Sequence, residues 1–129
     1  MDEEFVRKIN ESAQSHKSGL QNAIKAGVKI AAGTDGGTPF NLHSNTFKEV
    51  ELLSENGLTN YQAIIAATKN AADCLGLNDR GTIEKGKKAD FIVLDENPLI
   101  DIKALSKVDK VYKGGKEVNR KSEIAYMTQ

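Results

Sequence analysis

Apolar residues recur near a 3.6-residue period at Phe5, Val6, Ile9, Ala13, Leu20, Ala23 and Ile24, which predicts an opening helix. Asp2, Glu3 and Glu4 suit its first turn, where the helix dipole favours negative charge. Gly27 suits its C-terminal cap. Residues 28–33 (VKIAAG) then read as a short buried strand, β-branched at the front and bounded by glycine. A glycine-rich turn and loop carry the chain to about Asn45. A helix follows near 46–56, stopped by Asn56-Gly57. Thr59 and Gln62 have the spacing of a capping box, and Ile64, Ile65, Thr68, Ala71, Ala72 and Leu75 mark one face of a helix running to Gly76. Strand, loop, helix and helix in this order are α/β grammar, in which the strand belongs to a parallel sheet.

Past Gly81 the pattern changes to short extended pieces. A turn lies at Thr82–Lys87, a strand at Ala89–Asp95 and a turn at Asn97-Pro98. One or two helical turns fit Ile100–Leu105, and an alternating strand fits Val108–Lys113. Gly114-Gly115 forms a hairpin turn, and Lys116-Glu117-Val118 starts a return strand. A boundary at Arg80 separates 8 basic and 10 acidic residues from 10 basic and 8 acidic ones, so the two parts differ only slightly in charge.

Composition narrows the function. The 129 residues hold 18 Lys+Arg and 18 Asp+Glu, and this zero balance asks for neither nucleic acid nor an anionic membrane. No apolar run approaches the ~20 residues that span a bilayer. Cys74 is the single cysteine, so an internal disulfide and a multi-cysteine metal cluster are excluded. An acidic N-terminus without an apolar stretch leads to a reduced, cytoplasmic expectation.

Asp35 is the first candidate for chemistry. It lies just past a strand end in a glycine-rich turn, where α/β folds place active sites, although Asp and Gly are also ordinary turn residues. The same turn lacks the lysine of a phosphate-binding loop. His43, eight residues on, could bind metal, move a proton or touch substrate, or stand exposed in its loop. His16 reads as a surface or interface residue and Cys74 as a buried inert thiol. Glu49 and Glu51 read as exposed helix charges, and Lys85, Lys87 and Lys88 as a solvated turn.

Several blocks, in order, resemble the C-terminal part of the amidohydrolase superfamily, in its imidazolonepropionase-like and Xaa-Pro dipeptidase-like branch. Residues 26–35 (AGVKIAAGTD) resemble its last barrel strand. Residues 58–77 resemble the following helix, and residues 81–95 (GTIEKGKKADFIVLD) the return to a small β domain. The blocks at 97–99 and 111–116 continue the match.

The resemblance implies a metal-dependent hydrolase on a (β/α)8 barrel with an attached β-sandwich. Residues 1–80 would be the last barrel strand with its flanking helices, and 81–129 the C-terminal strands of the sandwich. Asp35 would bind a divalent metal, zinc foremost, and take the proton of an activated water. His43 would face a small-molecule amide or dipeptide substrate. The family's His-x-His pair, bridging lysine and later histidines have no counterpart here, and a full barrel takes ~250 residues. The chain therefore reads as a C-terminal fragment, expected to be inactive and metal-free alone. A stand-alone interaction module or a complementing subunit are the alternatives. A strand cut from its neighbours must be covered, which leads to an expected homodimer or higher homo-oligomer.

Overall fold

The computed structural model describes residues 3–4, 17–33 and 46–120. They form an α/β arrangement of helices followed by a three-stranded antiparallel sheet. Residues 17–25 are helical and are called α1. It closes at Gly27, whose φ of 74° is open to glycine, and Val28 N–H donates back to the Ala23 carbonyl at 3.1 Å.

Helix α2 (Thr46–Glu55) ends as expected at Asn56-Gly57. Asn56 donates from both its backbone N–H and its Nδ2 to the Leu52 carbonyl, which satisfies an acceptor the helix end would leave open. Helix α3 (Asn60–Ala67) opens on the expected capping box. Thr59 Oγ1 accepts from Gln62 N–H at 3.1 Å, and Gln62 Oε1 accepts from Thr59 N–H at 3.0 Å.

The helix expected to run unbroken to Gly76 is instead two helices. Thr68, at φ −118° and ψ −84°, separates α3 from α4 (Lys69–Cys74). The Thr68 hydroxyl donates to the Ile64 carbonyl at 2.8 Å, a local bond that competes with the helical ladder. Gly81 crosses the break closely. A Cβ there would stand 2.7 Å from Ala72 Cβ and 3.1 Å from the Thr68 carbonyl oxygen.

Residues 28–33 form no strand among the described residues. A strand is a hydrogen-bonded ladder, and no described strand lies beside this segment to complete one. The expectation of burial also fails here, since Val28 is 56% exposed. The segment is tied to α3 and α4 instead, as described below.

Strand β1 (Phe91–Leu94) pairs antiparallel with β2 (Val108–Lys113), and β2 pairs with β3 (Lys116–Glu117). Phe91 lies opposite Tyr112, and their rings stack at 4.8 Å. Gly114 and Gly115, both at positive φ, turn the hairpin as expected. Asp90 fixes that turn by accepting from Gly114 N–H at 2.8 Å. The turn at Asn97-Pro98 and a 3-10 helix (Ile102–Ser106) link β1 to β2. Asp101 caps the 3-10 helix by accepting from Lys103 N–H.

The buried apolar residues are Val50, Ala63, Ala66, Ala72, Ile102 and Ala104, so alanine supplies four of six among the described residues. Ile102 packs with Val50 and Ala63, with Leu53, Leu58 and Leu105 around them. Asn60 adds a polar tie, receiving Ser54 Oγ at 2.6 Å and donating to the Leu99 carbonyl at 3.1 Å. No helix among the described residues is long and apolar enough to cross a membrane.

Candidate functional site

Asp35, His43 and His16 lie outside the described residues. The structure does describe the approach to Asp35, which is the segment 28–33 and the helices that hold it. Three ties fasten this segment. Lys29 Nζ meets Asp73 Oδ2 at 2.6 Å. Asn70 Nδ2 donates to the Ile30 carbonyl at 2.9 Å. Ala32 N–H donates to the Ala66 carbonyl at 2.8 Å. Two of the three use backbone groups that a sheet ladder would otherwise engage.

A cavity of about 320 Å³ opens beside this segment, lined by Ile24, Val28, Tyr61, Ile65, Lys69 and Asn70 among others. A broader apolar trough of about 650 Å³ runs between the helices and β1, past Ile64, Leu75, Arg80, Ile83, Phe91 and Ile92. Ile83 is 86% exposed and Leu75 73% exposed. Leu75 was expected on the packed helical face. Ala72 is the buried residue of α4, whereas Leu75 at its C-terminal turn faces outward.

The same turn corrects the reading of Cys74, which is exposed rather than buried. Glu51 is corrected in the opposite sense. It is buried on the inner side of α2, with its carboxylate 3.7 Å from Lys48 Nζ. Glu49 is half-buried. The expected solvated turn at 84–88 is held by ion pairs, Lys87 with Glu84 and Lys88 with Asp79.

Two carboxyls carry shifted titration. The hydrogen bond and charge of Lys29 hold Asp73 below the usual carboxylate range, with Lys69 and Lys87 adding to the effect. Arg80 does the same to Asp79, again by its hydrogen bond first. A carboxyl depressed in the folded state stabilises that state fully above its unfolded value of about 3.9. The stabilisation disappears as pH falls through the lower folded value. We therefore expect the melting temperature to drop on acidification below about pH 4, and the drop to be shallower in Asp73→Asn, as followed by circular dichroism.

Among the described residues, no group of three His, Cys, Asp or Glu side chains converges on a point that could hold a metal ion. The described part of this chain does not fit a catalytic metal by itself, since such sites take three protein ligands.

A model of the amidohydrolase family matches residues 3–118. The chain is similar to ochratoxinase from Aspergillus niger, 43% identical over 117 residues that cover 84% of this chain and 23% of that protein. The crystal structure of A. niger ochratoxinase superposes with a TM-score of 0.79 at 39% identity, covering 91% of this chain and 27% of that one. A Xaa-Pro dipeptidase with bound methionine in its active site superposes at 0.75 and 39% identity, covering 80% and 25%. Imidazolonepropionase from Deinococcus deserti is 38% identical over 82 residues, covering 61% of this chain and 20% of that protein. The chain thus spans about a quarter of the length of the relatives it matches.

Proposed function

The chain belongs to the amidohydrolase family, and from that premise we propose that it is the Asp35-bearing C-terminal part of a metal-dependent hydrolase of carbon–nitrogen bonds. The observation that carries this reading is the continuous family match over residues 3–118, which crosses every block on which the resemblance rests. In this reading, residues 28–33 are the last strand of a (β/α)8 barrel and α3–α4 follow it. Residues 1–80 then belong to the barrel and 81–129 to the small β domain. Asp35 contributes one carboxylate to a divalent metal, zinc foremost, whose other ligands come from polypeptide outside this chain. That carboxylate also accepts a proton from water and delivers it to the leaving nitrogen. His43 faces the substrate, a small-molecule amide or dipeptide. The reading places the enzyme in the cytoplasm.

Alone, the chain is expected to hold no stoichiometric metal and to turn over no amide. One carboxylate and one histidine fall short of the three protein ligands a catalytic metal takes. The apolar trough and the exposed Val28 are covered in a homodimer or higher homo-oligomer. The short span against the relatives supports a second reading, a subunit complemented by a separate chain.

Metal analysis and amide hydrolysis test this on the purified chain, alone and joined to the polypeptide encoded ahead of it. Hydrolysis in the joined form supports the first reading, and hydrolysis only with a separately encoded chain supports the second. A divalent ion held stoichiometrically by the chain alone, and lost in Asp35→Asn, overturns both.

A further inference from the structure

We propose that Asn70 is a positioning residue, which clamps the segment leading to Asp35 onto the break between α3 and α4. This rests on the role given to Asp35 above. The geometry comes from three observations that meet at one place.

The first is the break itself. A regular helix consumes each carbonyl in a bond to the N–H four residues on. At Thr68 the backbone leaves helical geometry, and Thr68 N–H closes back on the Ile65 carbonyl at 3.2 Å. The disruption leaves the Ala66 carbonyl, one turn before α4 begins, available to a group outside the helix.

The second is what takes that carbonyl. Ala32 N–H donates to it at 2.8 Å, although Ala32 lies 34 positions earlier in the chain. The third is Asn70 in the first turn of α4, whose Nδ2 donates to the Ile30 carbonyl at 2.9 Å from a half-buried position. One donor and one acceptor, two residues apart on the same segment, are thereby engaged from a single helical joint. That spacing is the one a neighbouring strand would satisfy. The joint therefore sets the register of residues 30–32, and Asp35 follows three residues later. A one-residue slip would turn every side chain of the segment to the opposite face.

Asparagine suits this task in a way its neighbours in size do not. Its amide donates to a carbonyl oxygen, whereas an aspartate of the same shape would present a negative oxygen to that carbonyl. Alanine leaves the Ile30 carbonyl without this donor.

Amide hydrogen exchange on the intact chain tests the clamp. In Asn70→Ala the Ala32 amide is expected to lose protection about fivefold to tenfold, the loss of one hydrogen bond. The Ala63 and Ala72 amides, which bond to the Thr59 and Thr68 carbonyls at the starts of α3 and α4, are expected to stay as they were. Asn70→Asp should lose at least as much protection at Ala32. In the hydrolytic assay proposed above, Asn70→Ala is expected to lower kcat about tenfold to a hundredfold with KM within about twofold, the pattern of a misplaced catalytic group.

Unchanged protection at Ala32 in either variant overturns the clamp. So does a joint loss at Ala32, Ala63 and Ala72 with a lowered melting temperature, which would make Asn70 a general structural residue. An unchanged kcat beside a loosened Ala32 removes the positioning role. These outcomes are separable from the function itself. If Asp35→Asn leaves turnover intact, the role of Asp35 fails, whatever the exchange at Ala32 shows.

Discussion

Replacing Asp35 by asparagine is expected to lower kcat of the assembled hydrolase by about 10²- to 10⁴-fold, the usual worth of a positioned proton acceptor. The amide has nearly the shape of the carboxylate, so packing should survive. It carries no charge and does not accept a proton near neutral pH. Under the proposed function two losses would therefore coincide, that of an anionic metal ligand and that of the base. They are told apart by metal content. A variant that keeps its ion but not its turnover has lost the base, and one that loses both has lost the ligand. Asp35→Glu restores the charge with a longer reach, and should recover metal before it recovers rate. Turnover of Asp35→Asn within about threefold of the parent would remove Asp35 from the chemistry.

The second large effect is one of stability. Gly81→Ala is expected to cost about 2–5 kcal/mol, from two sources. Gly81 sits at φ +103°, where side chains are strained. Its new methyl would also meet Ala72 Cβ at 2.7 Å, Thr68 O at 3.1 Å and Lys69 Cα at 3.3 Å. Two of these three are backbone atoms of the helical joint and cannot rotate away. Gly86 gives the control, because its φ is +88° and nothing lies within 4 Å of its absent Cβ. Gly86→Ala should therefore show the conformational cost alone, about 1–2 kcal/mol. Urea denaturation of the two variants separates the terms. Equal midpoints would mean that the close crossing at Thr68 contributes nothing.

These two glycines also show what could be read from the sequence. Turns and caps were legible because their chemistry is local. Thr59 and Gln62 lie three residues apart and satisfy each other, and Gly114-Gly115 sit between two alternating runs. The 3-10 helix was legible as one or two helical turns for the same reason, with Asp101 capping its start. The break at Thr68 was not legible, because the apolar period continues across it and Gly81, which crosses the joint, lies thirteen residues on. Leu75 was placed on the packed face of a continuous helix, and Cys74 was read as buried from the general habit of free thiols rather than from helical position. Glu51 was misread because helix period alone does not say how wide the buried stripe of α2 is. The segment 28–33 was read as a strand from its composition and flanking glycines, yet a strand needs a paired neighbour, and the described residues give it none. The roles of Asp35 and His43 came through the family resemblance. Placement after a strand end made Asp35 a candidate, but it could not by itself tell a ligand from a turn residue.

The abundance of alanine inside has a consequence for how the molecule comes apart. Burying Ala63, Ala66, Ala72 and Ala104 forfeits almost no rotamer freedom, and lets backbones approach closely. A methyl group also hides little surface from water. Unfolding such an interior re-hydrates a small apolar area, so the transition carries a modest heat-capacity increment and a gentle dependence on denaturant. A fold of this kind is shaped closely but secured thinly, so a partner that bound only its folded form would raise its stability by mass action.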